Sequence, residues 1–276
     1  MVGYAAGLTR PTIRRDNKHM RAAVVIPACN EAATIADIAR RAQAFITPVI
    51  VVDDGSGDDT AARVRGLAVI LLRNGVNQGK AASLWRGMQC ALAAGAEAVI
   101  TLDGDGQHCP EDIPRLLAAA TLHPHRIVIG ARLRGRANAP WPRRLANRFA
   151  DFWISWAAGH RIFDSQSGFR LYPAALLERV DIAHDRAHGF VFESEILIGA
   201  ARHGFLSTQF SIDSIYGASS RASHYRAVAD TWRITRMVAW KLMRRGLYPQ
   251  GLIRILRTQA PLVDVQSPRA SADPRH

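Results

Sequence analysis

The first hundred residues alternate between short apolar runs and stretches with helical periodicity. Four runs are apolar on both faces, as strands inside a covered sheet are. They span residues 22–27, 48–52, 69–72 and 99–102. Apolar residues recur at helical spacing after three of these runs, over residues 35–42, 61–65 and 80–95. Strands that alternate with helices in this way predict an α/β fold with a mostly parallel central sheet.

Polar side chains stand where three of the predicted strands end. Positions 30–31 hold Asn and Glu, positions 53–54 hold two Asp, and positions 103–105 hold Asp-Gly-Asp. In parallel sheets, ligands bind outside the carboxyl ends of the strands. Carboxylates gathered there repel each other unless they meet a metal or polar donors such as ribose hydroxyls and base N–H groups. A nucleotide that carries a diphosphate and a metal would meet both needs.

Asp103 and Asp105 form the strongest candidate site. Alternate residues of an extended segment point to the same side, and Gly104 between them lets the backbone bend toward a ligand. Two carboxylates so placed can share Mg²⁺ or Mn²⁺, which prefer hard oxygen ligands and leave positions for phosphate oxygens. A solvated turn is the competing interpretation, because Asp and Gly dominate turns.

Two common nucleotide-binding motifs do not occur in the sequence. No Gly-x-Gly-x-x-Gly follows the first strand, which argues against a dehydrogenase. No Gly-x-x-x-x-Gly-Lys-Ser/Thr occurs along the chain, which argues against a P-loop NTPase. Nucleotidyl transfer on a similar sheet is disfavoured, because the usual glycine-rich N-terminal loop is missing.

Six short motifs occur in order between residues 22 and 224. They lie at 27–31, 52–56, 77–80, 102–108, 164–170 and 189–195. In this order they resemble family 2 glycosyltransferases, and the chain is similar to the branch that contains polyprenyl-phosphate mannose and glucose synthases. The resemblance implies the GT-A fold and inverting transfer of a sugar from a nucleotide diphosphate donor, such as a UDP- or GDP-linked sugar.

The resemblance also implies roles for individual residues. The donor is expected at Pro27, Glu31, Asp53, Asp54, Lys80, Asp103 and Arg132. The acceptor side is expected at Ser167, Arg170 and Glu195. A divalent metal, Mg²⁺ or Mn²⁺, is expected at Asp103, Asp105, Gln107 and His224. One of the two aspartates at 53–54 can instead cap the following turn or helix. Lys80 can be a solvated lysine at a helix start, and His224 a surface histidine.

Glu193 departs from that branch, which commonly has a glutamine there. A phosphate acceptor is already an anionic nucleophile, whereas attack by a hydroxyl gains about 10²- to 10⁴-fold from a general base. Glu193 is therefore a candidate catalytic base for a hydroxyl acceptor, and Asp164 is a second candidate. The competing interpretation is that Glu193 only forms a salt bridge with one of the many arginines.

Positive charge concentrates in two segments of a chain whose formal net charge is +13. Residues 126–170 carry nine arginines against two aspartates, and residues 221–257 carry nine lysines or arginines against one aspartate. The second segment also has an apolar helical face. It consists of Val228, Trp232, Thr235, Val238 and Leu242, widened by Trp240 and Met243.

A basic, Trp-bearing amphipathic helix is typical of an anionic membrane interface. The aromatic run at 149–156, which follows several arginines, favours the same interpretation. Packing of the apolar face on a catalytic core is the alternative. No apolar stretch approaches the ~18 residues that a membrane-spanning helix needs. We therefore expect a peripheral protein at the cytoplasmic face of the membrane.

The composition divides the chain into four parts. We expect a disordered basic arm at 1–19, a GT-A catalytic domain at 20–220, a basic amphipathic helical segment at 221–258 and a disordered tail at 259–276. The arm lacks the apolar core of a secretory signal. The three cysteines, at 29, 90 and 109, lack the paired spacing of zinc ligands, and their number is odd. Both features favour reduced thiols in the cytoplasm.

Together these features predict a metal-dependent, inverting glycosyltransferase with a nucleotide sugar as donor and a lipid-linked acceptor, for which Glu193 suggests a hydroxyl group. Polyprenyl-phosphate glycosylation is the alternative within the same class. A non-catalytic nucleotide or RNA binder is the alternative of another class, suggested by the pI near 10.8. No RNA-binding motif with interleaved aromatic residues is visible, so no nucleic-acid partner is expected.

Overall fold

The computed structural model describes residues 20–134, 141–181, 191–213, 227–258 and 262–265. The predicted basic arm at 1–19 lies outside the described residues, as do the predicted metal ligand His224 and most of the predicted tail.

The described part of the chain forms a seven-stranded sheet. The strands are β1 (Ala22–Ala28), β2 (Val49–Asp53), β3 (Val69–Arg73), β4 (Ala98–Thr101), β5 (Ile127–Arg134), β6 (Arg170–Pro173) and β7 (Ser207–Asp213). Their order is β3-β2-β1-β4-β6-β5-β7. Strand β6 runs antiparallel to β4 and β5, and the other neighbouring strands are parallel. The prediction of a mostly parallel sheet is confirmed.

Helices pack on both faces of this sheet. They are α1 (Ile35–Gln43), α2 (Thr60–Arg63), α3 (Lys80–Ala93), α4 (Ile113–Leu122), α5 (Trp141–Ala158), α6 (Ala174–Leu177), α7 (Phe192–Arg202), α8 (Ala227–Met243) and α9 (Pro249–Arg257). The helices predicted after the first three strands correspond to α1, α2 and α3.

Neighbouring residues of each central strand enter two different cores. Val24 of β1 packs with α1 and α4, whereas Val25 packs with α3, α5 and α7 on the other face. All residues of β1 and β2 are buried. Burial on both faces is the reason why these strands are continuous apolar runs in the sequence.

Helix α8 buries only part of the apolar face predicted for it. Ile234, Val238 and Leu242 are buried in the core next to α5, whereas Trp240 and Met243 are exposed. Ile234, Val238 and Leu242 therefore follow the alternative interpretation, in which the apolar face packs on the catalytic core. For the exposed Trp240 and Met243 the membrane interpretation stays a prediction. The side chains of residues 227–232 lie outside the described part of the chain.

Residues 262–265 differ from the predicted disordered tail. Leu262 bridges Gln209 of β7, and the N–H of Val263 donates to the Gln209 carbonyl at 2.8 Å. Arg115 Nε donates to the carbonyl of Val265 at 3.1 Å. The paired segment is largely apolar, and Val263 and Val265 pack against the core. The polar residues around it concealed this short run, which uses the open edge of β7.

His160 makes stability depend on pH. Its Nε2 accepts a hydrogen bond from the Ser207 N–H at 3.0 Å, and burial lowers the pKa of His160 from 6.5 to about 4. Between these two values the unfolded chain binds more protons than the folded one. Stability therefore falls as the pH is lowered from 6.5 toward 4.

We expect His160→Gln to reduce the loss of unfolding free energy between pH 6.5 and pH 4 by about 3 kcal/mol, since each pKa unit corresponds to about 1.4 kcal/mol. Urea unfolding at a series of pH values measures the effect. Part of the slope should remain, because burial also lowers the pKa of His108 to about 4. His125 is exposed, so His125→Gln is the control with an unchanged slope. A slope in His160→Gln equal to that of the control would contradict the expectation.

Candidate active site

The loops that follow β1 and β4 are packed against each other. Thr34 Oγ1 donates to the carbonyl of Gly104 at 2.6 Å. A Cβ on Gly104 would lie 3.2 Å from the carbonyl oxygen of Pro27 and 3.6 Å from Cγ of Glu31. Glycine thus permits the close approach, and the structure brings Pro27 and Glu31 beside the Asp-Gly-Asp segment at 103–105.

Hydrogen bonds connect the loop after β2 to the loop after β1. The N–H of Glu31 donates to Thr60 Oγ1 at 2.8 Å, and the N–H of Asn30 donates to Ser56 Oγ at 2.9 Å. Asn30 has a φ of 59° and accepts a hydrogen bond from the Gly57 N–H at 2.9 Å. These bonds hold Glu31 over the carboxyl ends of two neighbouring strands.

Asp53 holds the turn after β2. Its Oδ1 accepts a hydrogen bond from the Ser56 N–H at 3.1 Å, and its Oδ2 lies 2.9 Å from Arg73 Nε. The side chain is fully buried. This agrees with the interpretation in which one of the two aspartates caps a turn, while a contact of Asp53 with a donor stays a prediction.

Asp54 holds the loop that leads into α3. Its carboxylate accepts hydrogen bonds from the N–H groups of Gln78 and Gly79 and from Asn74 Nδ2, each at 2.8 Å. The first residue of α3 is Lys80. Asp54 therefore fixes the point from which Lys80 reaches the site, and its own contact with a ribose stays a prediction.

Lys80 bridges two acidic side chains. Its Nζ lies 2.7 Å from Asp103 Oδ1 and 2.7 Å from Glu193 Oε1. Burial opposes the charge of the ammonium group, but the two carboxylates more than offset this and raise the pKa of Lys80. The solvated-lysine interpretation is therefore wrong. Glu193 does form a salt bridge, as its competing interpretation expected, but with this lysine.

Asp103 and Asp105 lie in one electrostatic environment. Burial would raise the pKa of Asp103, but Lys80 and His108 hold it below its ordinary value. Burial and the charge of Asp103 raise the pKa of Asp105. Because two neighbouring carboxylates repel each other, a shared cation would stabilise both. The pair suits Mg²⁺ or Mn²⁺, which complete their coordination with water and phosphate oxygens.

Gln107 and His224 are the other predicted metal ligands. No group of three His, Cys, Asp or Glu side chains suited to a metal occurs among the described residues. The backbone N–H of Gln107 donates to Asp105 Oδ1 at 3.0 Å, which places Gln107 in the same turn. Its role as a ligand stays a prediction, and His224 lies outside the described residues.

Arg132 and Asp164 form a bidentate ion pair. Arg132 Nε and Nη2 lie 2.9 and 3.0 Å from the two oxygens of Asp164, and the Arg132 N–H donates to Oδ2 at 2.9 Å. Burial would raise the pKa of Asp164, but Arg132 lowers it to about 2. A carboxylate with so low a pKa is a weak base near neutral pH. The geometry therefore favours Asp164 as a positioning residue for Arg132 over the predicted second base.

Ser167 and Arg170 lie beneath the site and are fully buried. Ser167 Oγ donates to the carbonyl of Gly130 at 2.7 Å. The Arg170 guanidinium donates to the carbonyls of Glu193 and Ser165, each at 2.7 Å. These bonds brace the start of α7. The predicted contact with an acceptor would require both side chains to leave the core.

Glu195 is separated from Glu193 by the body of α7. Two positions along a helix differ by about 200° around its axis. Glu195 Oε1 accordingly pairs with Lys241 Nζ of α8 at 2.6 Å, whereas Glu193 faces Lys80. The structure does not bring Glu195 to the Asp103 site, and its role on the acceptor side stays a prediction.

The motifs contain two further residues next to Asp103, for which no role was predicted. His108 stacks on Phe169 with ring centroids 5.8 Å apart, and its Nε2 lies 3.8 Å from Asp103 Oδ2. Burial lowers the pKa of this ring to about 4. Gly168 packs directly against the Asp103 carboxylate. Their positions within the motifs at 102–108 and 164–170 are the feature of the sequence that could have identified them.

Known proteins resemble this chain in sequence and in fold. The model of the family described as glycosyl transferase family 2 matches residues 23–182. Polyprenol monophosphomannose synthase of Mycolicibacterium smegmatis is 30% identical over 213 residues, which cover 72% of this chain and 78% of that protein. Undecaprenyl-phosphate mannosyltransferase of Micrococcus luteus is 28% identical over 195 residues, covering 67% and 79%.

A solved structure shares the fold at low sequence identity. It is glucosyl-3-phosphoglycerate synthase from Mycobacterium tuberculosis, in complex with Mn²⁺, UDP-glucose and phosphoglyceric acid. Its TM-score is 0.60 at 21% identity, and the match covers 83% of this chain and 80% of that one.

Gly168 sets the position of the Asp103 carboxylate. A Cβ at this position would lie 2.2 Å from Asp103 Oδ2 and 2.7 Å from its Cγ. Gly168→Ala should therefore push the carboxylate aside, at small cost in stability, because a side-chain end can move. We expect kcat/KM for sugar transfer to fall by about 10²-fold, the scale of a 1 Å misplacement. At Gly75 a Cβ would meet no atom within 4 Å, so Gly75→Ala is the matched control. Wild-type activity in Gly168→Ala would contradict this account.

Proposed function

Because this chain belongs to glycosyl transferase family 2, we propose that it transfers a sugar from a nucleotide diphosphate donor to a lipid-linked acceptor with inversion at the sugar carbon. The chain has the GT-A fold and is a family 2 glycosyltransferase. The observation that carries the proposal is the meeting of three strand ends, which sets Glu31, Asp53–Asp54 and the Asp103–Asp105 pair around one place.

The donor side of the proposal uses these residues. Asp103 and Asp105 would hold Mg²⁺ or Mn²⁺, which when bound offsets the negative charge that grows on the leaving nucleoside diphosphate. Lys80 and Arg132 add fixed positive charge next to the same carboxylates. Glu31 borders the site beside Gly104. Structural neighbours with UDP and Mn²⁺ or Mg²⁺ bound support this donor class, and a GDP-linked sugar is the alternative donor.

Donor binding is tested by thermal unfolding with UDP, GDP, CMP or dTDP, each with Mn²⁺ or with EDTA. We expect one nucleoside diphosphate to raise Tm only when Mn²⁺ is present, because saturation at about 100 times Kd adds about 2.7 kcal/mol. Asp105→Asn should lose this response, since it removes a charge that the cation needs.

The control for this experiment is Asp181→Asn, which removes the charge of an exposed aspartate. It should respond as the wild type does. If no nucleotide stabilises the wild type with Mn²⁺, the proposed transfer reaction is refuted.

A polyprenyl phosphate is the acceptor that the relatives favour, because two of them are named for transfer to polyprenol or undecaprenyl phosphate. Such an acceptor brings its own anionic oxygen and needs no base. Glu193 supports a second candidate, a hydroxyl acceptor. Its carboxylate is linked to Asp103 through Lys80, and a base close to the reacting centre would assist attack by an alcohol.

Glu193→Gln distinguishes the two acceptors. With a polyprenyl phosphate we expect kcat within about tenfold of the wild type, whereas loss of a general base would cost about 10²- to 10⁴-fold. The product should enter the organic phase and release its sugar in mild acid, as a glycosyl phosphodiester does. Glu178 is exposed, so Glu178→Gln is the control. An acid-stable product together with the larger loss would favour the hydroxyl acceptor.

A peripheral position at the cytoplasmic face of the membrane completes the proposal. Helix α5 exposes an apolar stripe at helical spacing, made of Trp141, Leu145, Phe149 and Phe152. Arg144 and Arg148 are exposed on the same helix, and aromatic residues with arginines suit a bilayer interface. Cys29, Cys90 and Cys109 are free thiols. Among the described helices, none is both long and apolar enough to cross a bilayer. The predicted division into a catalytic domain at 20–220 and a helical segment at 221–258 is retained in the proposal.

A further inference from the structure

A strongly basic groove lies between α7 and α8, on the opposite side of α7 from Glu193. Its cationic side chains come from both helices and from the turn after α8. The α7–α8 groove is defined here by Arg202, Arg236, Trp240, Lys241, Arg244 and Arg245. Among the described residues that line it, Glu195 is the one carboxylate, and it pairs with Lys241. Positive charge therefore greatly exceeds negative charge in this groove.

The arginines of the groove repel one another. Partial burial, followed by the charges of Arg245 and Arg244, lowers the pKa of Arg202. Arg244 lies 5.6 Å from the ring centroid of Trp240, and Arg245 lies 3.8 Å from that of Tyr248. Aromatic rings orient these guanidinium groups but do not neutralise them. An anion placed among them would relieve the repulsion.

The side chains of the groove suit a phosphate group next to a lipid. Guanidinium groups bind phosphate oxygens in pairs. At the rim of the groove, Trp240, Met243 and Leu247 are exposed apolar side chains. They share the outer face of α8 and its following turn with Arg236 and Arg244. Cationic groups beside an exposed tryptophan match the phosphate layer of a bilayer, where apolar side chains reach the acyl boundary.

We propose that the α7–α8 groove binds the phosphate groups of anionic phospholipids. This inference rests on the proposed function, because it gives the membrane-bound enzyme a second contact besides the α5 stripe. The groove extends along α7 from Glu195 to Arg202, about 10 Å by the rise of a helix. Since Glu193 stands in the first turn of the same helix, a bilayer bound there would be held at a fixed distance from the Lys80 bridge.

Vesicle binding tests the inference on the full chain. Co-sedimentation is measured with phosphatidylcholine vesicles with and without phosphatidylglycerol, for the wild type and for Arg236→Gln/Arg244→Gln. The control is Arg63→Gln/Arg65→Gln, which removes the same charge from exposed positions around the end of α2. We expect the groove variant to bind the anionic vesicles at least about tenfold more weakly and the control less than about twofold, because basic residues act on a charged bilayer only near its surface.

Two outcomes would overturn the inference. Equal losses in the groove variant and the control would overturn the inference, because net charge alone would then explain binding. Loss of stabilisation by soluble pyrophosphate in the groove variant, with unchanged vesicle binding, would also overturn it and assign the groove to a soluble phosphate compound. The Tm response to nucleotide and Mn²⁺, measured on the same variants, should stay at the wild-type value. If the wild type lacks that response, the proposed function fails separately from the groove.

Discussion

The ammonium group of Lys80, held between Asp103 and Glu193, is the interaction on which the site depends. It connects the start of α3, the loop after β4 and the first turn of α7. Without this charge, two largely buried carboxylates would face each other, and an unpaired buried charge typically costs several kcal/mol. The hydrogen bonds of Asp54 can be understood in this light, because they fix the backbone from which Lys80 extends.

Several carboxylates around this bridge are already occupied by neighbouring parts of the chain. Asp53 holds a turn, Asp54 holds the loop before α3, and Asp164 holds Arg132. Some acidic residues near the strand ends therefore stabilise the loops around the site, whereas others line the site itself. Asp103 and Asp105 belong to the second group. The protein lowers the pKa of Asp103, but the pKa of Asp105 stays raised, so the repulsion between the two carboxylates is only partly offset.

The sequence predicted the central strands well because their burial on both faces leaves a direct trace, as in the seven buried residues of β1. The resemblance to family 2 glycosyltransferases assigned Asp103, Lys80 and Glu193 to one site, and in the structure Lys80 Nζ lies 2.7 Å from both carboxylates. What a periodic pattern cannot reveal is the partner against which a side chain is buried. The apolar face of α8 was compatible with a bilayer or a protein core, and Val238 and Leu242 lie in the core. Arg170 is fully buried and donates hydrogen bonds to backbone carbonyls. The sequence did not predict its burial, because nothing in it distinguishes Arg170 from the many arginines at the surface.

The reversed direction of β6 has a further consequence. Its amino end, at Arg170, lies beside Thr101 at the carboxyl end of β4 and beside Ile129 of β5, so the segment at 164–169 enters the site from the side opposite the loops of β1 and β2. The carboxylates proposed for the donor all precede residue 106, and the groups on the other side follow residue 126. The two sides of the site thus come from separate stretches of the chain. The Lys80–Glu193 ion pair joins these two stretches, so a substitution in either stretch that moves one of the two side chains also changes the position of the other.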